Sequence, residues 1–299
     1  MTKVVVSLLS EDQEFQRMQA EDARQTAARL GLEVDVLFAE NNAILQIQQL
    51  YGFVHALEGE RPAAIVVEAV AEAGIPRIAR NAARAGVGWV MLNGTVGDLD
   101  DLSREYPGIV VSSVLADEVE IGRIQGRQAG ALLPSGGTLL SVEGPPDTPT
   151  AQGRKRGLEE EIQGTELAIG RALHGDWTEK SGERAMANWL RLKTSEAFRP
   201  ALVVCQNDAM AVGARRAMRT LRPDWADVPL TGCDGLPAGG QQLVEQKELV
   251  ATIVKPTTAG PAVEMVARAL GGESAPPSVV LTPTSWPSET KLSSVLAML

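Results

Sequence analysis

The sequence predicts an α/β fold of two doubly wound parallel-sheet lobes, and three observations carry that expectation. Short apolar runs alternate with helical patterns along the chain, as buried parallel strands alternate with the helices that cover them. The runs number roughly eleven, too many for one such sheet at this length. The pattern also restarts near Leu115 to Asp117, which marks a first crossing from one lobe to the other.

Taken in order, VVVSLLS reads as the first strand, followed by an amphipathic segment from Phe15 to Leu30 that Gly31 closes. VDVLFA precedes a helix from Ala43 to Leu57, and AIVVEA one from Ala71 to Ala85. WVMLN leads into the acidic loop GDLDDLSREYPG, and IVVSSV follows. After the restart come a helix from Asp117 to Leu133, a turn at Ser135-Gly136-Gly137, the strand TLLSVEG and a helix from Thr150 to Ile162. LAIGRAL and a helix from Glu179 to Leu192 precede three further apolar runs, Ala201 to Val204, Pro229 to Thr231 and Ala251 to Val254. Lys255-Pro256 is the second crossing, returning the chain to the first lobe for a helix from Thr257 to Leu270.

Composition excludes several classes. The 299 residues carry 28 Lys and Arg against 38 Asp and Glu, a net charge of −10 spread along the chain. That balance argues against nucleic acid, whose binding needs clustered cations. No apolar run is long enough to span a bilayer. Met1 leads directly into the first strand, without the n-region or h-region of a signal peptide. Two expectations follow: a mature exported form, or a chain made to stay in the cytosol. Cys205 and Cys233 read as buried thiols acting as small hydrophobes. A disulfide would need Cα atoms within about 7 Å, which neighbouring strands would allow.

Nothing specific points to catalysis, and no cofactor or metal is expected. The nucleophile elbow, the phosphate loop, HExxH and CxxC are absent. His55 lies in the helical run FVHAL, and His174 stands at a strand end. Two cysteines and two histidines so far apart do not make a metal site. Trp89 and Trp189 read as core, whereas Trp225 and Trp286, in Pro-rich stretches, read as surface residues.

Binding is the better-supported class. In open parallel sheets, ligands lie beyond the carboxyl ends of the strands. Here those ends carry Glu68, Asn93, Arg154, Trp177, Asn207, Asp234 and Lys255. Aromatic faces cover the C–H side of a sugar ring, while planar amides, carboxylates and guanidinium groups take its hydroxyls. Each hydrogen bond to a charged partner contributes about 1.5–3 kcal/mol. Several of them and one stacked ring reach on the order of −8 kcal/mol, which is micromolar binding. Asn207-Asp208 would also cap the helix that follows, and Asp234-Gly235 would form a turn.

Three stretches, TAQGRKRGLEEEI, NDAMAVGA and GCDGLPAGGQQLVEQKELVATI, resemble the type I periplasmic sugar-binding proteins, the ribose-binding and LacI-like superfamily. The resemblance runs from Lys3 to about Val280. It implies a third crossing near Leu281, hence a three-segment hinge. The lobes become 1–115 with 256–280 and 116–255 with 281–299, with a ligand cleft between them. It implies that Arg154 forks onto a sugar, Trp177 stacks on its ring, and Asn207 and Asp234 take hydroxyls. The first lobe departs from the pattern: SEDQEF leaves only Phe15 and either Asp12 or Gln16 as candidates after the first strand. Asn93-Gly94 stands for an Asp-Arg, Glu68 for a common Asn, and Lys255 for a common Gln. Glu68 and Lys255 would either pair with each other or read a charged amino or acid sugar.

The resemblance implies a monomeric, exported solute-binding protein. It would close on a small sugar or polyol and hand it to the membrane permease of an ABC transporter. The alternatives are a cytosolic sugar sensor, an enzyme on the same scaffold, and a LacI-like regulator's ligand domain without its DNA-binding segment.

Overall fold

The computed structural model describes residues 2–94 and 99–295. Met1, the first residues of the acidic loop (97–98) and the end of the second expected lobe (296–299) lie outside the described residues. The chain begins as β1 (Lys3–Leu8), α1 (Glu14–Leu30), β2 (Glu33–Phe38), α2 (Ala43–Val54), β3 (Ala64–Glu68), α3 (Ile75–Arg84), β4 (Gly88–Leu92), α4 (Leu99–Glu105) and β5 (Val111–Ala116). It continues as α5 (Glu118–Leu132), β6 (Gly137–Glu143), α6 (Pro149–Ile162), β7 (Leu167–His174), α7 (Glu179–Leu190), β8 (Leu202–Cys205) and α8 (Asp208–Leu221). It ends as β9 (Leu230–Thr231), α9 (Gln242–Glu245), β10 (Thr252–Val254), α10 (Ala259–Leu270), β11 (Ser278–Leu281), β12 (Thr284–Trp286) and α11 (Glu289–Val295). Two compact units result, one of Met1–Ala116 with Pro256–Leu281 and one of Asp117–Lys255 with Thr282–Leu299.

The first unit holds a six-stranded sheet in the order β11-β5-β4-β3-β1-β2, parallel throughout. Alternation along β1 divides its side chains between two apolar layers. Val4, Val6 and Leu8 join α1 and α10 on one face, and Val5 joins α2 and α3 on the other. Burial on both faces explains why these strands read as continuous apolar runs. The second unit holds a parallel sheet in the order β7-β6-β8-β9.

Four expectations need correction. The run Ala251 to Val254 is not a regular member of the parallel sheet: β10 pairs antiparallel with β12. Beside β9 and the segment after it, the run makes the parallel bridges Thr231↔Ala251 and Asp234↔Val254, with backbone hydrogen bonds such as Gly232 N–H to the Ala251 carbonyl at 2.9 Å and Asp234 N–H to that of Ile253 at 3.0 Å. The acidic stretch is not all loop, because α4 buries Leu99 and Leu102 one turn apart. Asp100 and Asp101 in its first turn complement the helix dipole. The third helix starts at Ile75 rather than Ala71, since Gly74 takes φ +87° and Pro76 then fixes the first turn. Trp225 is buried, not on the surface. A single 3₁₀ turn, Pro223–Trp225, drives its ring into the core beside Trp189 and Phe198, with Arg222 over it at 4.7 Å. A Pro-rich stretch therefore does not exclude burial.

Candidate functional site

Two sets of polar side chains stand at the carboxyl ends of the parallel strands, one in each compact unit. In the first unit the set centres on Glu68, the last residue of β3. Its Oε2 accepts from Gln16 Nε2 at 3.0 Å and its Oε1 from Asn93 Nδ2 at 3.0 Å. Strand order makes this possible, because β3 lies between β4, which Asn93 follows, and β1, which leads into α1 and Gln16. Both amides are themselves fixed: Leu9 N–H donates to Gln16 Oε1 at 3.2 Å, and Ala116 N–H to Asn93 Oδ1 at 3.3 Å. Asn93 takes φ +51°, a left-handed conformation that asparagine tolerates better than most residues. Phe15 is buried beside Gln16, while Asp12 is exposed.

Gln46 completes the set and was not anticipated. It donates to the Glu68 carbonyl at 2.8 Å and to Ser7 Oγ at 3.1 Å, and accepts from Val70 N–H at 2.9 Å. The only signal was a glutamine one turn before Leu50 on the buried face of α2.

The second unit is built around a buried ion cluster whose centre, Glu118, the sequence did not reveal. Arg154 Nε donates to Glu118 Oε2 at 2.7 Å, and Lys255 Nζ lies 2.9 Å from Glu118 Oε1. All three side chains are nearly enclosed, at 2% exposure for Arg154, 6% for Lys255 and 12% for Glu118. Backbone contact between α5 and α6 brings Arg154 to Glu118. A Cβ on Gly122 would sit 2.0 Å from the Arg154 carbonyl oxygen, and one on Gly157 1.9 Å from that of Val119. Only glycine lets α5 and α6 approach so closely. Burial pushes the Glu118 carboxyl up, but the charges of Arg154 and Lys255 outweigh it and hold its pKa below the ordinary value. Arg154 also donates Nη1 to the Gln206 carbonyl.

Trp177 is half-buried, precedes α7 and takes φ +71°, a conformation costly for a bulky residue. Three contacts hold it there. The Arg154 guanidinium lies 5.5 Å from the ring centroid, and Asn207 Nδ2 donates to the Trp177 carbonyl at 2.9 Å. Gly144 lies flat against the indole, where a Cβ would come 2.1 Å from Cζ2. Gln206 Oε1 fixes that glycine by accepting its N–H at 2.9 Å.

Asn207 caps α8 as well, accepting from Met210 N–H at 3.0 Å. Its acceptor and one donor are thus used within the unit, which makes it a positioning group for Trp177. The neighbouring Asp208 is structural: its carboxylate accepts from Thr252 Oγ1 at 2.7 Å and Gly235 N–H at 2.8 Å. These bonds fix the turn that presents Asp234 at φ +115°, half-buried beyond β9. The Lys255 N–H donates to the Asp234 carbonyl at 3.2 Å. His174 Nδ1 lies 3.8 Å from the buried Glu143. Cys205 and Cys233 are both free, and burial pushes both thiols up.

A periplasmic binding protein domain model matches residues 4–274. The chain belongs to the periplasmic binding protein domain family. Within that family it is similar to the ribose import binding protein RbsB of Salmonella typhimurium, 30% identical over 168 residues, which are 56% of this chain and 54% of that protein. It is similar also to a putative rhizopine-binding protein of Rhizobium meliloti, 25% identical over 207 residues, 68% of this chain and 63% of that one. The matches span between about half and two thirds of these curated relatives. Among solved structures, a Caulobacter myo-inositol binding protein bound to myo-inositol superposes with a TM-score of 0.81 at 22% identity, covering 100% of this chain and 97% of that one. A solute binding protein from Actinobacillus succinogenes with bound D-allose gives a TM-score of 0.83 at 17% identity, covering 98% and 100%. At these identities the superpositions establish a shared family fold.

Proposed function

We propose that the chain is the solute-binding component of an ABC-type transporter, taking a small sugar or polyol and presenting it to a membrane permease. The observation that carries this reading is the indole of Trp177, held in a costly backbone conformation beside Arg154. Asn207 bonds the Trp177 backbone carbonyl, and family membership supports the same conclusion. The ring face would cover the C–H side of a sugar. Asp234 and the remaining N–H groups of Arg154 and Asn207 would take hydroxyls from the second unit, and Glu68, Gln16 and Asn93 from the first.

The proposed mechanism is ligand-dependent closure about the three chain crossings. A ligand shifts such an equilibrium only by its extra affinity for the closed form, so contacts must come from both units. Binding without turnover is part of this proposal.

The test is a thermal-shift screen over pentoses, hexoses, inositols and sugar acids, because a ligand that binds only the folded state raises its melting temperature. Titration of any hit with Trp177→Ala should show a loss of about 2 kcal/mol, roughly thirtyfold in Kd. Unchanged affinity in that variant would remove the indole from the site.

A further inference from the structure

The first unit's set holds a negative charge that no cation in it answers. Glu68 ends β3, half-buried, and each of its oxygens accepts one N–H, from Gln16 and from Asn93. Two neutral amides orient a carboxylate without neutralising it. A carboxylate offers about four lone-pair sites, so acceptor capacity remains. Among the described residues, no Lys or Arg pairs with Glu68.

In the second unit both cations are already engaged. Arg154 and Lys255 both contact Glu118, and Asp234 acts electrostatically on Arg154. An acid sugar or sugar phosphate would therefore have to compete with Glu118 for its cations. A ligand ammonium would find in Glu68 an acceptor already oriented by two amides.

We infer that the ligand carries a protonated amine beside its hydroxyls, as an amino sugar or aminopolyol does, with Glu68 as the counter-ion. This rests on the carbohydrate reading of the same site and narrows it. A hydroxyl and an ammonium would both bond the ionised acceptor, but only the ammonium adds the attraction of an opposite charge. A hydroxyl leaves that charge without an opposite, and an unpaired charge is costly to draw away from water. The amine therefore gains more at Glu68 than the neutral parent does.

The experiment is titration calorimetry on the whole chain with matched sets: glucosamine, glucose and glucuronate; galactosamine, galactose and galacturonate; an aminoinositol and inositol. In the set that binds, the amine should bind roughly tenfold or more tighter than its neutral parent, and an acid more weakly than either. Glu68→Gln, which keeps the shape and removes the charge, should bring the ratio of amine to parent towards one. If that variant does not fold, the wild-type ratio decides alone. A neutral or acid member binding as tightly as the amine, or a ratio that survives Glu68→Gln, overturns the inference and leaves the carbohydrate reading standing. Binding of no sugar of any kind overturns both.

Discussion

Replacing Glu118 by Gln tests the buried cluster that positions Arg154. The carboxylate sits 2.7 Å from Arg154 Nε and 2.9 Å from Lys255 Nζ, and both cations are almost fully enclosed. The amide preserves the volume but removes the negative charge that both buried cations contact. Removing one side of a buried ion pair costs about 3–5 kcal/mol, chiefly from the charge left behind. With about 2–4 °C per kcal/mol for a domain of this size, the melting temperature should fall by roughly 6–20 °C. Urea denaturation monitored by tryptophan fluorescence supplies the free energy.

Two controls separate charge from shape. Lys255→Gln leaves the Arg154–Glu118 pair intact, so it should cost less, about 1–2 kcal/mol. The double variant should recover part of the loss, since only one buried cation has then lost its contact with Glu118. The sign with pH is fixed as well. The folded-state pKa of Glu118 lies below its ordinary 4.5, so its stabilisation is fully present above that value and is lost as pH falls through the lower, folded-state one. The gap between wild type and Glu118→Gln should therefore be level near neutrality and narrow in acid. A variant within 1 kcal/mol of wild type, with no acid narrowing, would refute the reasoning.

Two further outcomes follow from the same site. Gly144→Ala places a Cβ 2.1 Å from the Trp177 ring, so the indole must move. Ligand affinity should fall by roughly tenfold or more in calorimetry, with circular dichroism showing the fold retained. Asn207→Ala removes the α8 cap and the bond to the Trp177 carbonyl. It should cost about 1–2 kcal/mol in urea denaturation and also weaken ligand binding, whereas a cap alone would affect stability only.

How much of this was legible in the sequence differs by element. Strands such as VVVSLL and AIVVE announced themselves because burial on both faces leaves no polar alternation. Glu68, Asn93 and Asp234 were legible as strand-end residues, because a parallel sheet gathers such ends along one edge. Glu118 was not: on the page it is one carboxylate among 38 acidic residues, two of them flanking it nearby, and nothing local separates it from a solvated helix start. Trp225 was misread because proline punctuation reports on backbone, not on which way an indole turns.

By itself, then, the order of residues determined the alternation of strands and helices, the presence of two parallel sheets, and the polar character of their carboxyl ends. These depend on periodicity and spacing, which are local. Tertiary structure alone decided which polar groups pair. Glu68 meets Gln16 and Asn93 because β3 lies between their strands, and Arg154 meets Glu118 because glycines let two helices touch. Hydrogen bonds and ion pairs depend on distances of a few ångströms between residues far apart in the chain, and only folding sets those distances.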